Sequence, residues 1–505
     1  MLAILSILVL AGSLRVWQLG AIGFNTDEAV YVGQAAAITG DPELKPYFPL
    51  FRAHPLLFQF ILATAFTLAG EVSDVVGRLV AVAVGVLTVA LVYRLGRLLY
   101  DVRVGLVAAL LLAVMPYHVV VTRQVLLDGP MVLFATLALY TVAKYCVTGR
   151  ATWLYAAGAA MGLTFMAKET SIILFGAIYA LFALAPSIPV RLRDLLLAMG
   201  TFGATVLAVP LALLLAGGGA KTTTEQYLVW QLFRRPNHDA NFYFLTVPPA
   251  VGPLVIAAAL GALWLMRRRL DWRVRLLLSW MTVVVVFFQL WPVKGFQYLL
   301  PAAPPLVVLA AVGLVSLAGG SPSWIGLRRP RPRASALRRV AAGAVALVLT
   351  LGVATSLAAE SWARIQPSES ARFLAGSGGI PGGREAGMWI RQHTPAGSQL
   401  MTIGPSMANV LAFYGHRSVY GLSVSPNPLR RNPSYDPILN PDLQIRSNEL
   451  QYVVWDSYSA SRSPFFAVKL LDYVERYHGR RVHTHSITDP SGQQVPVIVV
   501  YEVRR

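Results

Sequence analysis

The sequence predicts an α-helical polytopic membrane protein, with about eleven transmembrane helices followed by a small C-terminal α/β domain. Three observations predict it. Of the 505 residues, 56% are apolar and only 13% are charged, against roughly 25% charged in ordinary globular chains. The apolar residues come in blocks about as long as a bilayer requires, roughly 17 to 25 residues each. The last block, 359–505, breaks that pattern and alternates short β-like runs with helical ones. The net charge of +19 sits in short loops between apolar blocks. Topology signals look like that, whereas a nucleic-acid surface would gather its charge on one face, so no nucleic-acid partner is expected. Cys146 is the only cysteine, so an intrachain disulfide is excluded and the redox compartment is not legible from cysteines.

In chain order, spans are expected at 1–19, 77–95, 104–121, 130–148, 152–167, 171–186, 195–216, 247–266, 274–292, 298–318 and 339–358. The first lacks a basic n-region and is read as a retained helix rather than a cleaved signal. The stretch 55–69 is apolar but short for a span, and it ends in the acidic edge Glu71 to Asp74. It is expected to lie at the membrane interface. Charge decides that choice. With the N-terminus inside, Arg94 to Arg103, Thr148 to Arg150, Arg191 to Asp194, Arg267 to Arg275 and Arg328 to Arg339 all fall on the cytoplasmic side. Making 55–69 a true span would put those clusters outside.

A Gly-, Pro- and Ser-dense linker from Pro367 to Gly387 leads into the last domain. There, strands are expected at Gln399–Ile403, Gln451–Trp455 and Val495–Val503, with a helix at Phe465–Tyr477. An odd number of spans puts this domain outside. No internal repeat is visible. The domains are therefore read as 1–358, membrane-embedded, and 359–505, extracytoplasmic and soluble.

On this topology the unusual polar residues gather at the outer face. Asp27-Glu28 follows the first span, His54-Pro55 opens the interfacial helix, and Arg123 and Asp128 lie where the third span emerges. Lys168-Glu169 occupies a tight turn, and the loop Gly217 to Leu245 carries Tyr227, Trp230, Arg234, Arg235 and His238. Lys294 and Tyr298 flank another outer end. Each has a plainer reading: a helix cap for Asp27-Glu28, a hairpin turn for Lys168, a solvated turn for His54, an interfacial ion pair for Arg123 and Asp128. Convergence favours function, because ionisable groups at membrane depth cost roughly 2.5–3.5 kcal/mol on translocon scales and are kept when functional or paired.

A carboxylate beside cations suits one reaction class. A lipid-phosphate sugar has an anionic leaving group, so transfer needs cations for the phosphate and a carboxylate base for the acceptor hydroxyl. No Gly-x-Gly-x-x-Gly or Walker loop is present, which argues against ATP-driven transport and nucleotide-sugar chemistry.

At these residues the sequence resembles a family. Phe24 to Tyr31, with Asp27-Glu28 at its centre, is similar to the Asp-Glu signature in the first outer loop of GT-C glycosyltransferases, of the protein O-mannosyltransferase and lipid A aminoarabinose transferase superfamily. His54-Pro55-Leu56 resembles its His/Lys-Pro-Pro-Leu motif, with Leu56 in place of the second proline. Arg78-Leu79 with Leu95-Gly96-Arg97, Arg123 to Asp128, Gly162-Leu163 to Lys168, and Tyr298 to Pro301 resemble four further motifs in the same order. The likeness covers about residues 10–310. It implies the GT-C fold, Asp27 as catalytic base, Glu28 as a supporting group or metal ligand, and Asp128 as positioning acceptor or base. It implies donor-phosphate contacts from His54, Arg123, Lys168, Lys294 and Tyr298, with Arg234, Arg235 and His238 in a loop closing over the donor. Metal use stays open; Glu28 and His238 are the candidate ligands of a divalent cation.

The expectation is an inverting glycosyltransferase of the cell membrane. Its partners would be a polyprenyl-phosphate sugar, membrane lipid and a hydroxyl acceptor (protein, lipid or glycan) at the outer face. The alternatives are a flippase for lipid-linked sugars that does no chemistry and a scaffold that presents the soluble domain, whose own expected role is packing or acceptor docking.

Overall fold

The computed structural model describes residues 1–48, 54–215, 230–231, 233–234, 236–268, 270–317, 336–367, 379–489 and 491–503. Its contacts divide the chain into two compact units, and the division is not collinear with the sequence. One holds Met1–Trp17, Ala81–Gly218 and Arg235–Gln366; the other holds Gln18–Val80, Gly219–Arg234 and Pro367–Arg505. The sequence places a single boundary at 358. The structure instead groups the segment around Asp27 with the C-terminal residues.

The first unit is helical, and every expected span has a helix under it. Among the described residues, five helices are long and apolar enough to cross a bilayer singly: Asp74–Leu99, Asp128–Thr148, Trp272–Leu290, Phe296–Ser316 and Val340–Ile365. Leu2–Val16, Val102–Val114, Ala151–Ala167 and Glu169–Leu184 are shorter apolar helices. The expected span 247–266 is corrected. It is two helices, Phe242–Val251 and Pro253–Met266, bent by 91°. Gly252 at φ 98° makes the corner and Pro253 starts the second helix, so the residues that break the ladder also set the angle. The expected span 104–121 is likewise interrupted, at Met115 before Pro116.

Two devices hold this unit together. Gly158 and Gly162, four apart on Ala151–Ala167, face the helix Leu192–Leu215. A Cβ on Gly158 would sit 2.0 Å from the Ala198 carbonyl oxygen, so only glycine permits the close backbone approach that drives helix association in lipid. The second device is Arg15, fully buried. Its Nη1 donates to the carbonyls of Ala11 (2.8 Å) and Ala113 (2.9 Å), its Nε to Thr122 Oγ1 (2.9 Å), and its Nη2 lies 2.7 Å from His118 Nδ1. Ser361 Oγ donates to the Val114 carbonyl at 2.6 Å. Side chains thus take up carbonyls beside the Pro116 break, as a hydrocarbon surround requires.

In the second unit the C-terminal residues form a five-stranded sheet: β1 Gln399–Thr402, β2 Ser418–Gly421, β3 Leu450–Asp456, β4 Arg480–Thr488 and β5 Gln494–Glu502, in the order β2-β1-β3-β5-β4. β1 is parallel to β2 and β3, while β5 is antiparallel to β3 and β4. The three expected strands and the helix (Pro464–Arg476) are present. β2 and β4 are not expected from the sequence, because both are edge strands; β4 in particular (RRVHTHSIT) carries no run of apolar residues. The helix Gly383–His393 begins inside the expected linker. Met401, Leu450, Val453 and Leu470 are fully buried in the core of this fold.

Residues 18–80 join this fold through specific bonds. The Phe24 N–H donates to the Tyr414 hydroxyl (2.8 Å), which donates to Asp74 Oδ2 (2.9 Å). Arg384 donates to the carbonyls of Gly20 (2.8 Å) and Ala21 (2.9 Å). Phe24 also packs on Phe413. The interfacial helix expected at 55–69 is Leu57–Ala69, packed on Thr26–Thr39, with a buried Gln59 to Gln34 hydrogen bond between them.

Candidate active site

Asp27 and Glu28 sit together in the sequence, and the fold gives them opposite environments. The helix Thr26–Thr39 is closed by a capping box: Asn25 Oδ1 accepts the Glu28 N–H (3.0 Å), and Glu28 Oε2 accepts the Asn25 N–H (3.1 Å). Glu28 is fully buried and meets Arg78 as a fork on a fork, with Nε to Oε1 and Nη2 to Oε2 both at 2.8 Å. The remaining Arg78 donors bind the carbonyls of Leu19 (2.8 Å), Ile22 (2.6 Å) and Gly23 (3.0 Å). All five guanidinium N–H groups are used. Arg78 therefore winds the 19–28 loop around itself, and Asp27, next in the chain, is left with an exposed side chain at the helix's positive end. The capping reading holds for Glu28; Asn25, not Asp27, supplies the other half.

Two tyrosines of the C-terminal fold feel that carboxylate's charge. Burial first, and then Asp27's charge, push the Tyr435 phenol up to about 12, with Asn409 and Arg234 pulling the other way. Tyr458 is likewise raised, by burial first and then by Asp27 against the pull of Arg462, whose guanidinium stacks 4.1 Å from the ring centroid. Two neutral phenols thus lie within reach of Asp27's charge. Neither was found from the sequence, which assigned no chemistry beyond residue 358; an aromatic in a soluble α/β stretch reads as core. Arg234 lies over Trp230 at 4.6 Å. Arg235 lies outside the described residues. His54 is half-buried, edge-on to Tyr31 at 6.3 Å. Asp456, the last residue of β3, is fully buried, and burial holds its carboxyl up at about 6 against Ser459.

The other unit carries a second cluster. Asp128, at the start of Asp128–Thr148, and Lys168, at the end of Ala151–Ala167, are both buried. Lys168 Nζ bridges the Asp128 carboxylate, at 2.8 Å to Oδ1 and 2.9 Å to Oδ2, and lies 4.5 Å over the Tyr298 ring. Lys294 is buried and donates to the carbonyls of Gln289 (2.8 Å) and Trp291 (3.3 Å), capping the helix Trp272–Leu290. Asn237 fixes it from both sides, accepting its N–H (2.7 Å) and donating to its carbonyl (2.9 Å). His238 is exposed and stacks on Phe242 at 4.1 Å. Arg123 donates to the carbonyls of Trp17 (2.5 Å) and Ile365 (3.1 Å), the C-terminal ends of two helices, where a cation is favoured.

Both Glu28 carboxylate oxygens are engaged by Arg78. Among the described residues no group of three or more His, Cys, Asp or Glu side chains is placed to hold a cation. Arg15 and His118 were missed by the sequence reading. The signal was present: an arginine inside the first apolar block is itself a warning of a buried partner set.

Residues 53–214 match the family described as dolichyl-phosphate-mannose-protein mannosyltransferase. No curated protein matches the chain. Among solved structures, ArnT from Cupriavidus metallidurans bound to undecaprenyl phosphate is similar over 99% of this chain and 97% of its own, at 14% identity and a TM-score of 0.65. The Archaeoglobus fulgidus oligosaccharyltransferase AglB, in complex with an inhibitory peptide and a dolichol-phosphate, is similar over 98% of this chain and 74% of its own, at 15% identity and a TM-score of 0.59. At such identity these structures speak to fold. By this likeness, the multi-pass membrane chain has the GT-C fold of these structures, and its residues 53–214 carry the family match.

Proposed function

We propose that this chain transfers a sugar, with inversion, from a polyprenyl-phosphate carrier to a hydroxyl acceptor at the outer face of the cell membrane. The observation that carries the proposal is the division between Asp27 and Glu28. One carboxylate is exposed at a helix N-terminus, and its neighbour is consumed in holding it there. In the proposed step Asp27 accepts the acceptor O–H proton while that oxygen forms the new bond to the anomeric carbon. The bond from that carbon to the phosphate oxygen breaks, and polyprenyl phosphate leaves with the electron pair. Cations lower the cost of that charge; Arg234, Arg235, Lys168 and Lys294 are proposed for the role, with His54, Arg123 and Tyr298 around the donor. Asp128 is proposed to position acceptor or base through its pair with Lys168. The lipid phosphates in the ArnT and AglB structures support a donor of this class.

Asp27→Asn tests it. A general base contributes about 10²–10⁴-fold to rate, and Asn retains the shape, so single-turnover transfer from a labelled lipid-phosphate sugar should fall by that factor with folding and donor binding intact. Near-normal transfer would remove Asp27 as base. Donor binding without transfer by wild type, across several acceptors, would favour a flippase.

A further inference from the structure

The parallel part of the sheet has a topological switch point. From β1 the chain passes through the helix Pro405–Gly415 to β2 on one side, while β3 lies on the other. In open α/β sheets, ligands bind in the crevice outside the carboxyl ends of the strands at such a point. Here those ends are Thr402-Ile403-Gly404 and Asp456-Ser457. Thr26 Oγ1 donates to the Ser406 carbonyl at 3.3 Å, so the turn that presents Asp27 meets this same edge of the sheet. Tyr458, one residue on from Ser457, and Tyr435 both stand within Coulomb reach of Asp27.

The edge is polar and incomplete. Asp456 Oδ1 accepts the Ser459 N–H at 2.6 Å, but its buried Oδ2 has no hydrogen-bond partner among the described residues. A buried carboxylate oxygen left without a donor is costly and rare enough to need a reason. A Cβ on Gly404 would lie 3.4 Å from Ser423 Oγ and 3.9 Å from Ser459 Oγ, so two hydroxyls flank this backbone. Asn409 and Arg462 hold the Tyr435 and Tyr458 hydroxyls.

We infer that this crevice is the acceptor subsite of the proposed transfer, that it takes a polyhydroxyl, sugar-type acceptor, and that Tyr458 and Asp456 position its hydroxyl toward Asp27. The inference rests on the proposed function for the reaction and on the sheet for the site. The groups offered both donate and accept, as vicinal hydroxyls require, and phenol rings give flat faces for a sugar ring. A peptide would instead add as a strand along an open edge, and the open edges are β2 and β4, away from the β1–β3 boundary. Asp456 and Tyr458 are positioning residues: they act on the acceptor, and Asp27 takes the proton.

The test uses the full-length protein in nanodiscs with mannotriose as glycan probe and a Ser/Thr-containing hexapeptide as contrast. Saturation-transfer NMR reads binding, and steady-state transfer from polyprenyl-phosphate mannose reads kinetics. Mannotriose should bind and the hexapeptide should not. Tyr458→Phe and Asp456→Asn, the latter keeping a helix N-cap, should each weaken mannotriose roughly tenfold, about the worth of one hydrogen bond. Acceptor KM should rise with donor KM unchanged, and Asp27→Asn should still bind the glycan. Preference for the peptide, no glycan binding, or unchanged binding by both variants would overturn the subsite. Glycan binding that weakens in the variants, with no transfer from any lipid-phosphate sugar, would leave the subsite standing and remove the proposed reaction.

Discussion

Two adjacent carboxylates show how a residue's role is set by what surrounds it. Asp27 and Glu28 have the same chemistry and share one turn, yet Glu28 is buried against a guanidinium whose five donors are all used and Asp27 faces solvent. Removing Glu28 would strand a buried positive charge, which costs about 3–5 kcal/mol, whereas replacing both partners by apolar groups is often neutral. Glu28→Ala should therefore lower the thermal transition sharply, and the double variant Glu28→Leu with Arg78→Met should recover a large part of that loss. Size-exclusion chromatography of the heated protein would measure it. A Glu28→Ala protein as heat-stable as wild type would mean that the pair does not hold the loop. The sequence showed that this turn was acidic and that Arg78 mattered; it could not show that the two were one device, because 50 residues separate them.

Among the elements, cations expected at the donor turn out to be embedded in helix ends. Arg123 binds the C-terminal carbonyls of two helices, and Lys294 caps a third. Lys168 ties the end of Ala151–Ala167 to the start of Asp128–Thr148. Block length located these helices, since apolar blocks of that length have few other fates. It could not reveal breaks such as the 91° bend at Gly252, which depends on how a Pro-Gly run is packed. The Lys168–Asp128 pair allows a separation of roles. Lys168→Met alone leaves the Asp128 carboxylate buried without its lysine, and should destabilise by about 3–5 kcal/mol. Lys168→Met combined with Asp128→Leu removes both charges and should recover folding. Its donor KM then decides: a rise marks Lys168 as a phosphate contact as well as a strut, and an unchanged value leaves only the strut.

At the scale of the whole molecule, the chain joins its first loop to its last domain. Residues 18–80 and 367–505 form one unit although nearly 300 residues lie between them, and no local pattern announces such a pairing. The sequence does speak to orientation, through charge. Thr148-Gly149-Arg150 joins two helices in one of the short Arg-bearing loops, and Arg and Lys in short loops are retained on the cytoplasmic side. The odd number of spans expected from the sequence between that side and the C-terminal fold supports the proposal that the fold lies outside, where lipid-phosphate donors and envelope acceptors would be met. In a Cys146→Ser background, Ser491→Cys should label with a membrane-impermeant maleimide on intact cells. Arg150→Cys should label only after permeabilisation. The two positions control for each other: labelling of both in intact cells would report leaky cells, and labelling of neither even after permeabilisation would report occluded thiols. Labelling of position 150 alone from outside would invert the membrane map and put Asp27 on the cytoplasmic side, out of reach of the proposed acceptor.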